Sequence, residues 1–118
     1  MNQLREFDII VWGASGFTGR LVALYLFDKY GANGDLKWAM GGRNLKKLEK
    51  VRDEIANRNV PLVIADSNDK VSLFSMVNRT KVICTTVGPY AKYGSNLLEA
   101  CVKSHIHYCD LAGEVQWM

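Results

Sequence analysis

The sequence lacks a long hydrophobic run, and its 118 residues include only three cysteines, two histidines and two prolines. No apolar stretch approaches the roughly 18 residues that a membrane-spanning helix needs, so the sequence predicts no transmembrane segment. The first residues also lack the basic and apolar regions of a signal peptide. We therefore expect a cytoplasmic protein that folds as one domain.

The cysteines show neither a metal-binding nor a disulfide pattern. Cys84, Cys101 and Cys109 form no CxxC pair, and each falls in an apolar segment. His105 and His107 have no third ligand nearby. We therefore predict no metal site and expect three buried, reduced thiols.

Charge is likewise modest, with a formal net charge of +3 at pH 7. The one dense basic cluster is Lys46, Lys47 and Lys50, which lies on the predicted outer face of a helix. A solvated helix face explains this cluster better than a nucleic-acid site, so no nucleic acid is expected as a partner.

The most informative segment present is a glycine-rich turn between a short apolar strand at 7–12 and a helical pattern at 20–30. Glycines three residues apart at such a junction let backbone N–H groups approach an anion, and the helix N-terminus adds partial positive charge. A dinucleotide pyrophosphate is the ligand that this arrangement favours. The predicted binding residues here are Gly13, Ala14, Ser15, Gly16, Phe17, Thr18 and Gly19.

Strand and helix patterns alternate along the chain. The predicted strands are 7–12, 36–43 with its exit loop, 61–66, 81–87 and 107–112, and the predicted helices are 20–30, 45–55, 71–78 and 95–104. This alternation predicts a doubly wound parallel sheet of the Rossmann type, a three-layer α/β/α domain with strand order 3-2-1-4-5.

Apolar residues at helical spacing predict which side chains the helices carry toward the sheet. They are Leu21, Leu24, Tyr25 and Leu26 in the first helix, Leu45, Leu48, Val51 and Ile55 in the second, and Leu98, Cys101 and Val102 in the last.

Ligands of doubly wound sheets lie beyond the carboxyl ends of the strands. Besides the glycine turn, the residues predicted to bind the cofactor there are Gly42, Arg43, Asn44, Asp66, Ser67, Thr86, Val87, Gly88 and Pro89.

Arg43 stands where an NAD-preferring protein usually has a carboxylate for the ribose 2′-hydroxyl. A guanidinium can grip a 2′-phosphate in two hydrogen bonds, and Lys46 and Lys47 add charge, so charge favours NADP over NAD. The alternative for Arg43 is a solvated loop residue. Asp66 either accepts from the adenine amino group or caps a helix, and the sequence leaves both open.

No residue qualifies as a catalytic group. Tyr25 and Lys29 have the Tyr-x-x-x-Lys spacing of short-chain dehydrogenases, but they lie in the helix under the phosphates, far from any hydride-transfer position. The catalytic residues therefore stay unassigned.

Four blocks in fixed order then match a known family. These blocks are the glycine turn 13–19, the Gly-Arg-Asn segment 42–44 with 47–48, the segment 87–90 with 93–94, and the segment 108–114. They resemble the saccharopine dehydrogenase-like oxidoreductases, which are NADP-binding Rossmann proteins that include trans-acting enoyl reductases. The resemblance covers nearly the whole chain. It implies that 13–19 bind pyrophosphate, that Gly42 and Arg43 meet the adenosine ribose phosphate, and that 87–90 and 110–114 line the nicotinamide side.

The resemblance also implies function. Family members continue into a further domain that holds the substrate, so residues 1–118 are expected to be the N-terminal NAD(P)-binding domain of a longer oxidoreductase. The alternative is a non-catalytic NADP sensor similar to the NmrA-like regulators. Val115, Trp117 and Met118 further predict either a homodimer through the chain's end or a frayed tail on a monomer.

Overall fold

A computed structural model describes residues 5–32, 34–55, 59–86 and 91–110, apart from the side chains of 91–95 and 110. Strands and helices alternate throughout this part of the chain. The order is β1 (Phe7–Trp12), α1 (Phe17–Tyr30), β2 (Trp38–Gly42), α2 (Leu45–Ile55), β3 (Leu62–Ile64), α3 (Lys70–Val77), β4 (Thr80–Thr85), α4 (Ala91–Ser104) and β5 (His107–Asp110).

The sheet is parallel, with strand order β3-β2-β1-β4-β5. Ile10 of β1 lies opposite Ala39 of β2 on one side and Ile83 of β4 on the other. The predicted doubly wound Rossmann sheet and its strand order are thus confirmed. Because the chain runs outward from β1 in both directions, β1 and β4 meet at the point where such sheets bind ligands.

Two apolar clusters hold the helices against opposite faces of the sheet. From Ile9 to Trp12, successive side chains of β1 alternate between them, since neighbouring residues of a strand point to opposite faces. Val11 packs with residues of α1 and α2, whereas Ile10 and Trp12 pack with residues of α3 and α4. None of the described helices is long and apolar enough to cross a membrane.

The helical stripe predicted for α1 is only partly correct. Leu26 is buried, but Leu21, Leu24 and Tyr25 are 43–59% exposed, and the small residues Gly19 and Ala23 face the sheet instead. The apolar spacing pointed to the wrong face because close approach to the sheet requires small side chains rather than large ones.

The inward face of α4 is also shifted from its prediction. Leu98 and Val102 are exposed, whereas Leu97, Ala100 and Cys101 are buried. In α2, Leu48 and Val51 are buried as predicted, but Leu45 is 47% exposed. Leu45 lies at the first position of its helix.

The cysteines differ in exposure, which corrects the prediction that all three are buried. Cys101 is buried and Cys84 is half-buried, but Cys109 is exposed. Tyr108 packs against the cluster beneath α4, so the next residue, Cys109, points to the opposite face of the edge strand. Burial raises the pKa of the Cys101 thiol to about 12, which keeps it protonated and unreactive.

Asp8 links β1 to the residue that precedes β2 and to β4. Its Oδ2 accepts the Lys37 N–H at 2.9 Å, and the Lys81 Nζ lies 3.1 Å from its Oδ1. The hydrogen bond from Lys37 lowers the pKa of Asp8 most, and Lys81 lowers it further, against an opposing effect of partial burial.

We therefore predict that Asp8→Asn lowers the free energy of unfolding by about 0.5–1.5 kcal/mol near neutral pH. A carboxyl whose folded pKa is depressed stabilises the fold above its unfolded pKa of about 4, and this contribution is lost as pH falls through the folded pKa. Urea unfolding of both proteins between pH 7 and pH 3 should thus show a difference that shrinks on acidification. Glu49→Gln, on the exposed side of α2, is the control, and a pH-independent difference for Asp8→Asn would contradict the prediction.

Candidate functional site

The carboxyl ends of β1 and β4 lie side by side, at the position where doubly wound sheets form their ligand-binding crevice. Trp12, the last residue of β1, pairs with Thr85, the last residue of β4. The glycine turn leaves β1 at this point and leads directly into α1. The predicted pyrophosphate-binding segment therefore lies at the ligand-binding edge of the sheet.

The first half of the turn is fixed to β2. The N–H groups of Gly13 and Ala14 donate to the Gly41 carbonyl at 2.9 and 3.1 Å. Gly13 has φ of 85°, a left-handed conformation that L side chains rarely adopt. The Ala14 methyl group is fully buried, so Ala14 and Gly13 shape the turn rather than offer side chains to a ligand.

Gly19 sets how closely α1 approaches the turn. A Cβ atom on Gly19 would lie 2.1 Å from the Gly13 carbonyl oxygen and 2.7 Å from the Ala14 Cα, both of which are backbone atoms. By contrast, a Cβ on Gly16 would lie 3.4 Å from that oxygen, an ordinary contact. Gly19 is therefore required for packing, whereas Gly16 is exposed at the mouth of the turn.

The N-terminus of α1 has no internal cap. Gly16 is its N-cap residue, no side chain accepts there, and the first turn contains no acidic residue. The first intrahelical bond runs from the Arg20 N–H to the Gly16 carbonyl. Within the described part of the chain, the N–H groups of Phe17, Thr18 and Gly19 consequently have no acceptor.

The starts of α2 and α3 are each capped by a side chain. Asn44 Oδ1 accepts the Lys47 N–H at 3.1 Å, as expected of an N-cap. Asp69 Oδ1 accepts from the N–H groups of Val71 and Ser72. Of these three helices, α1 is the one without a side-chain cap at its N-terminus, so its first N–H groups are available for an external anion.

The exit of β2 presents Arg43 to solvent beside the crevice. Gly42 is buried at the end of the strand, and Arg43 and Asn44 are exposed. Arg43 forms no ion pair within the described residues. Its charge is thus available at the strand end where a ribose phosphate is expected.

Asp66 and Ser67 follow β3 at the same edge. Asp66 Oδ1 accepts the Asn68 N–H at 2.9 Å, so this carboxylate closes a tight turn, and the helix cap is Asp69 instead. The Ser67 carbonyl accepts from Asn96 Nδ2 at 2.8 Å, which ties the loop to α4. Contact of Asp66 with adenine stays a prediction.

Thr86 ties β4 to the glycine turn. Its hydroxyl lies 3.0 Å from the Trp12 carbonyl oxygen and 3.2 Å from that of Gly13, and its N–H also donates to Trp12. Thr86 therefore holds the two strand ends together. Val87, Gly88 and Pro89, predicted to lie beside it at the cofactor, fall outside the described residues.

Sequence reasoning missed two basic residues near the turn. An open groove of about 390 Å³ between α1 and α2 is lined by Ser15, Arg20, Lys47, Lys50, Val51 and Glu54. In the sequence, Arg20 marks only the start of a helical pattern, and Lys50 belongs to a predicted solvated helix face. The signal was present in α2, where Lys47, Lys50 and Glu54 share one side at helical spacing.

Comparison with known proteins places this geometry in a family. The family model described as the saccharopine dehydrogenase NADP binding domain matches residues 9–117. The chain belongs to this family. The predicted resemblance and the predicted cofactor class, NADP, are thereby confirmed.

Curated relatives agree with this assignment. A trans-acting enoyl reductase of Mycobacterium ulcerans is 39% identical over 115 residues, which cover 96% of this chain and 27% of that protein. A putative trans-acting enoyl reductase of Mycobacterium tuberculosis is 40% identical over 116 residues, covering 97% of this chain and 27% of the relative. The chain thus spans about a quarter of the length of these proteins.

A solved structure supports the fold. The Citrobacter sp. triphenylmethane reductase complexed with NADP(H) superposes with a TM-score of 0.72 at 23% identity, covering 87% of this chain and 36% of that one.

We predict that substitution of the packed Gly19 mainly lowers stability, whereas substitution of the exposed Gly16 mainly weakens NADP binding. Gly19→Ala forces a methyl group against backbone and should lower the free energy of unfolding by at least about 2 kcal/mol. Gly16→Ala should cost less than about 1 kcal/mol. It should nevertheless weaken NADP binding, because its methyl group stands where the pyrophosphate approaches the turn.

Thermal unfolding and calorimetric titration with NADP⁺ measure both effects. A Gly16→Ala protein that keeps both its stability and its full affinity would show that the pyrophosphate does not lie against this turn.

Proposed function

We propose that this chain binds NADP(H) across the carboxyl edge of its sheet and serves as the N-terminal cofactor domain of a two-domain reductase. The pyrophosphate would lie on the N-terminus of α1, the adenosine phosphate beside Arg43, and the nicotinamide on the β4 side of the crevice. Residues 1–118 would form this domain, and a further part of the protein would hold the substrate.

One observation carries the placement of the pyrophosphate. The N–H groups of Phe17, Thr18 and Gly19 have no acceptor in the described part of the chain, while α2 and α3 are capped by Asn44 and Asp69. Uncapped donors at a helix N-terminus, immediately after a glycine turn, suit the two negative charges of a pyrophosphate.

In this proposal the described residues position the cofactor and take no chemical part in the reaction. Thr86 holds the exits of β1 and β4 together, which fixes the floor on which the nicotinamide end would rest. The bound cofactor supplies hydride chemistry, and none of the described side chains is assigned as an acid or base. The proton donor to the substrate would then belong to another part of the protein.

The names of the curated relatives suggest the substrate class. Both are called enoyl reductases, so we propose that the protein containing this domain reduces a carbon–carbon double bond conjugated to an acyl carbonyl. A hydride would add to the β carbon and a proton to the α carbon, giving the saturated acyl group and NADP⁺. We further propose that the protein is cytoplasmic. We also propose that it self-associates through the end of the chain, which lies outside the described residues.

Isotope transfer tests the reductase proposal. The whole protein that contains this domain should be incubated with an enoyl thioester and NADPH carrying deuterium at nicotinamide C4. We expect one deuterium at the β carbon of the saturated product. Tight NADPH binding without any turnover of the whole protein would contradict a reductase and favour a sensor.

Arg43→Glu tests the adenosine side. The parent should bind NADP⁺ more tightly than NAD⁺, and the variant should lose this preference by about 10- to 100-fold, the range expected when a charge-assisted hydrogen bond is removed. Calorimetric titration with both nucleotides measures the ratio. Arg52→Glu makes the same charge change in the last turn of α2 and should leave the ratio unaltered. Equal effects of the two variants would remove Arg43 from the site.

A further inference from the structure

Two cysteines lie side by side on neighbouring strands. Cys84 of β4 is the direct partner of Cys109 of β5 in the parallel register. They are far apart in the sequence, so the spacing rules that reveal cysteine pairs do not find them. Neither takes part in a disulfide in this structure. The sheet therefore brings together a dithiol that the sequence alone does not show.

Both side chains project from the same face of the sheet. Ile83, the residue before Cys84, is fully buried in the cluster formed with α3 and α4, and Tyr108, the residue before Cys109, packs against that cluster. Because neighbouring residues of a strand point to opposite faces, the two cysteines point to the side that carries α1 and α2. Val11, which pairs with Cys84 across β1, belongs to the cluster on that side.

This face is open where β4 and β5 run. Among the described residues, the apolar cluster beneath α1 and α2 includes none from these two strands. Cys109 is exposed and Cys84 is half-buried, so a small solute can reach Cys109 directly and find Cys84 next to it. Cys101 is buried in the cluster on the other side of the sheet and is separated from the pair.

The spacing of paired strands suits a bond between the two sulfur atoms. Neighbouring strands lie about 4.8 Å apart, within the range of about 4.4–6.8 Å that separates the Cα atoms of bridged cysteines. Side chains of paired residues stand parallel, so the Cβ atoms start at a similar spacing, slightly above the roughly 3.5–4.5 Å of a disulfide. In the five-stranded sheet β5 is an edge strand, and a small shift of this strand toward β4 completes the approach.

We propose that Cys84 and Cys109 form a redox site, which a low-molecular-weight disulfide oxidises to an intramolecular bridge between β4 and β5. The Cys109 sulfur attacks one sulfur of the small disulfide, which releases one small thiol and leaves the other half bonded to Cys109. The Cys84 sulfur then attacks Cys109 Sγ, forming the bridge and releasing the second small thiol. The two cysteines lose two electrons and two protons, and the small disulfide gains them.

The bridge lies one residue before the strand ends of the proposed cofactor site. Thr85, which follows Cys84, pairs with Trp12 of β1 and with Asp110 of β5. Oxidation therefore fixes β5 to β4 directly below the crevice, whereas the reduced sheet holds this edge strand by hydrogen bonds alone. The inference does not rest on NADP(H) binding.

Oxidation of the 118-residue chain with glutathione disulfide, followed by alkylation and peptide mapping by mass spectrometry, tests the proposal. We expect the chain to lose the mass of two hydrogen atoms and the peptides containing Cys84 and Cys109 to be linked. Cys101, the buried reference thiol, should be alkylated only after unfolding.

Two matched variants separate the steps. In Cys84→Ser the reaction should stop with glutathione attached to Cys109. In Cys109→Ser the modification of Cys84 should be at least about tenfold slower, because the more accessible thiol is missing. Unfolding midpoints of both variants show whether they fold like the parent chain, and the peptide map of the parent decides the question without them.

Three results would overturn the proposal. Glutathione that stays on Cys109 of the parent, while Cys84 is still alkylated, would show that the two sulfur atoms do not meet. Dimers linked through Cys109 would show an intermolecular reaction instead. A bridge that includes Cys101 would show that oxidation acts on an opened chain, since Cys101 lies on the other side of the sheet.

Discussion

The contact between α1 and the first strand's exit governs the rest of the site. With only a hydrogen at the α carbon of Gly19, the helix start can lie against the Gly13 carbonyl and the Ala14 backbone. This closeness places the uncapped N–H groups of the helix start next to the exit of β1. A larger residue would move the donors away from the sheet edge, and the crevice would lose its positive end.

Electrostatic asymmetry among the helices then distinguishes the binding edge from an ordinary sheet edge. Two helices have a side-chain cap, Asn44 in one and Asp69 in the other, whereas α1 has none. The same end of the domain also carries Arg20, Arg43 and Lys47 without partners among the described residues. Unpaired donors and cations cost stability in the empty protein, and that cost is offset when a polyanionic ligand binds.

Much of the fold could be predicted because its signals are local. Alternating strand and helix patterns and the glycine turn determine a parallel sheet once right-handed crossovers are required. Helix faces were less predictable, since α1 buries Gly19 and Ala23 while exposing Leu21 and Tyr25. Hydrophobicity alone does not show that close packing selects small side chains.

The site was predictable at the strand ends but not between the helices. Arg43 follows a strand and can be found by position, whereas Arg20 and Lys47 come together only when α1 and α2 pack side by side. Likewise, Asp66 and Asp69 are equal candidates for a helix cap in the sequence. The direction in which the loop turns, fixed by the Asn68 N–H on Asp66 Oδ1, decides between them.

The Thr86 hydroxyl limits how a nucleotide can enter and leave the site. By lying within hydrogen-bond distance of the carbonyls of Trp12 and Gly13, it fastens the two strand exits at a fixed spacing. The floor of the crevice then does not part to admit a ligand. A nucleotide therefore enters and leaves across the open edge of the sheet, without separation of the two strands.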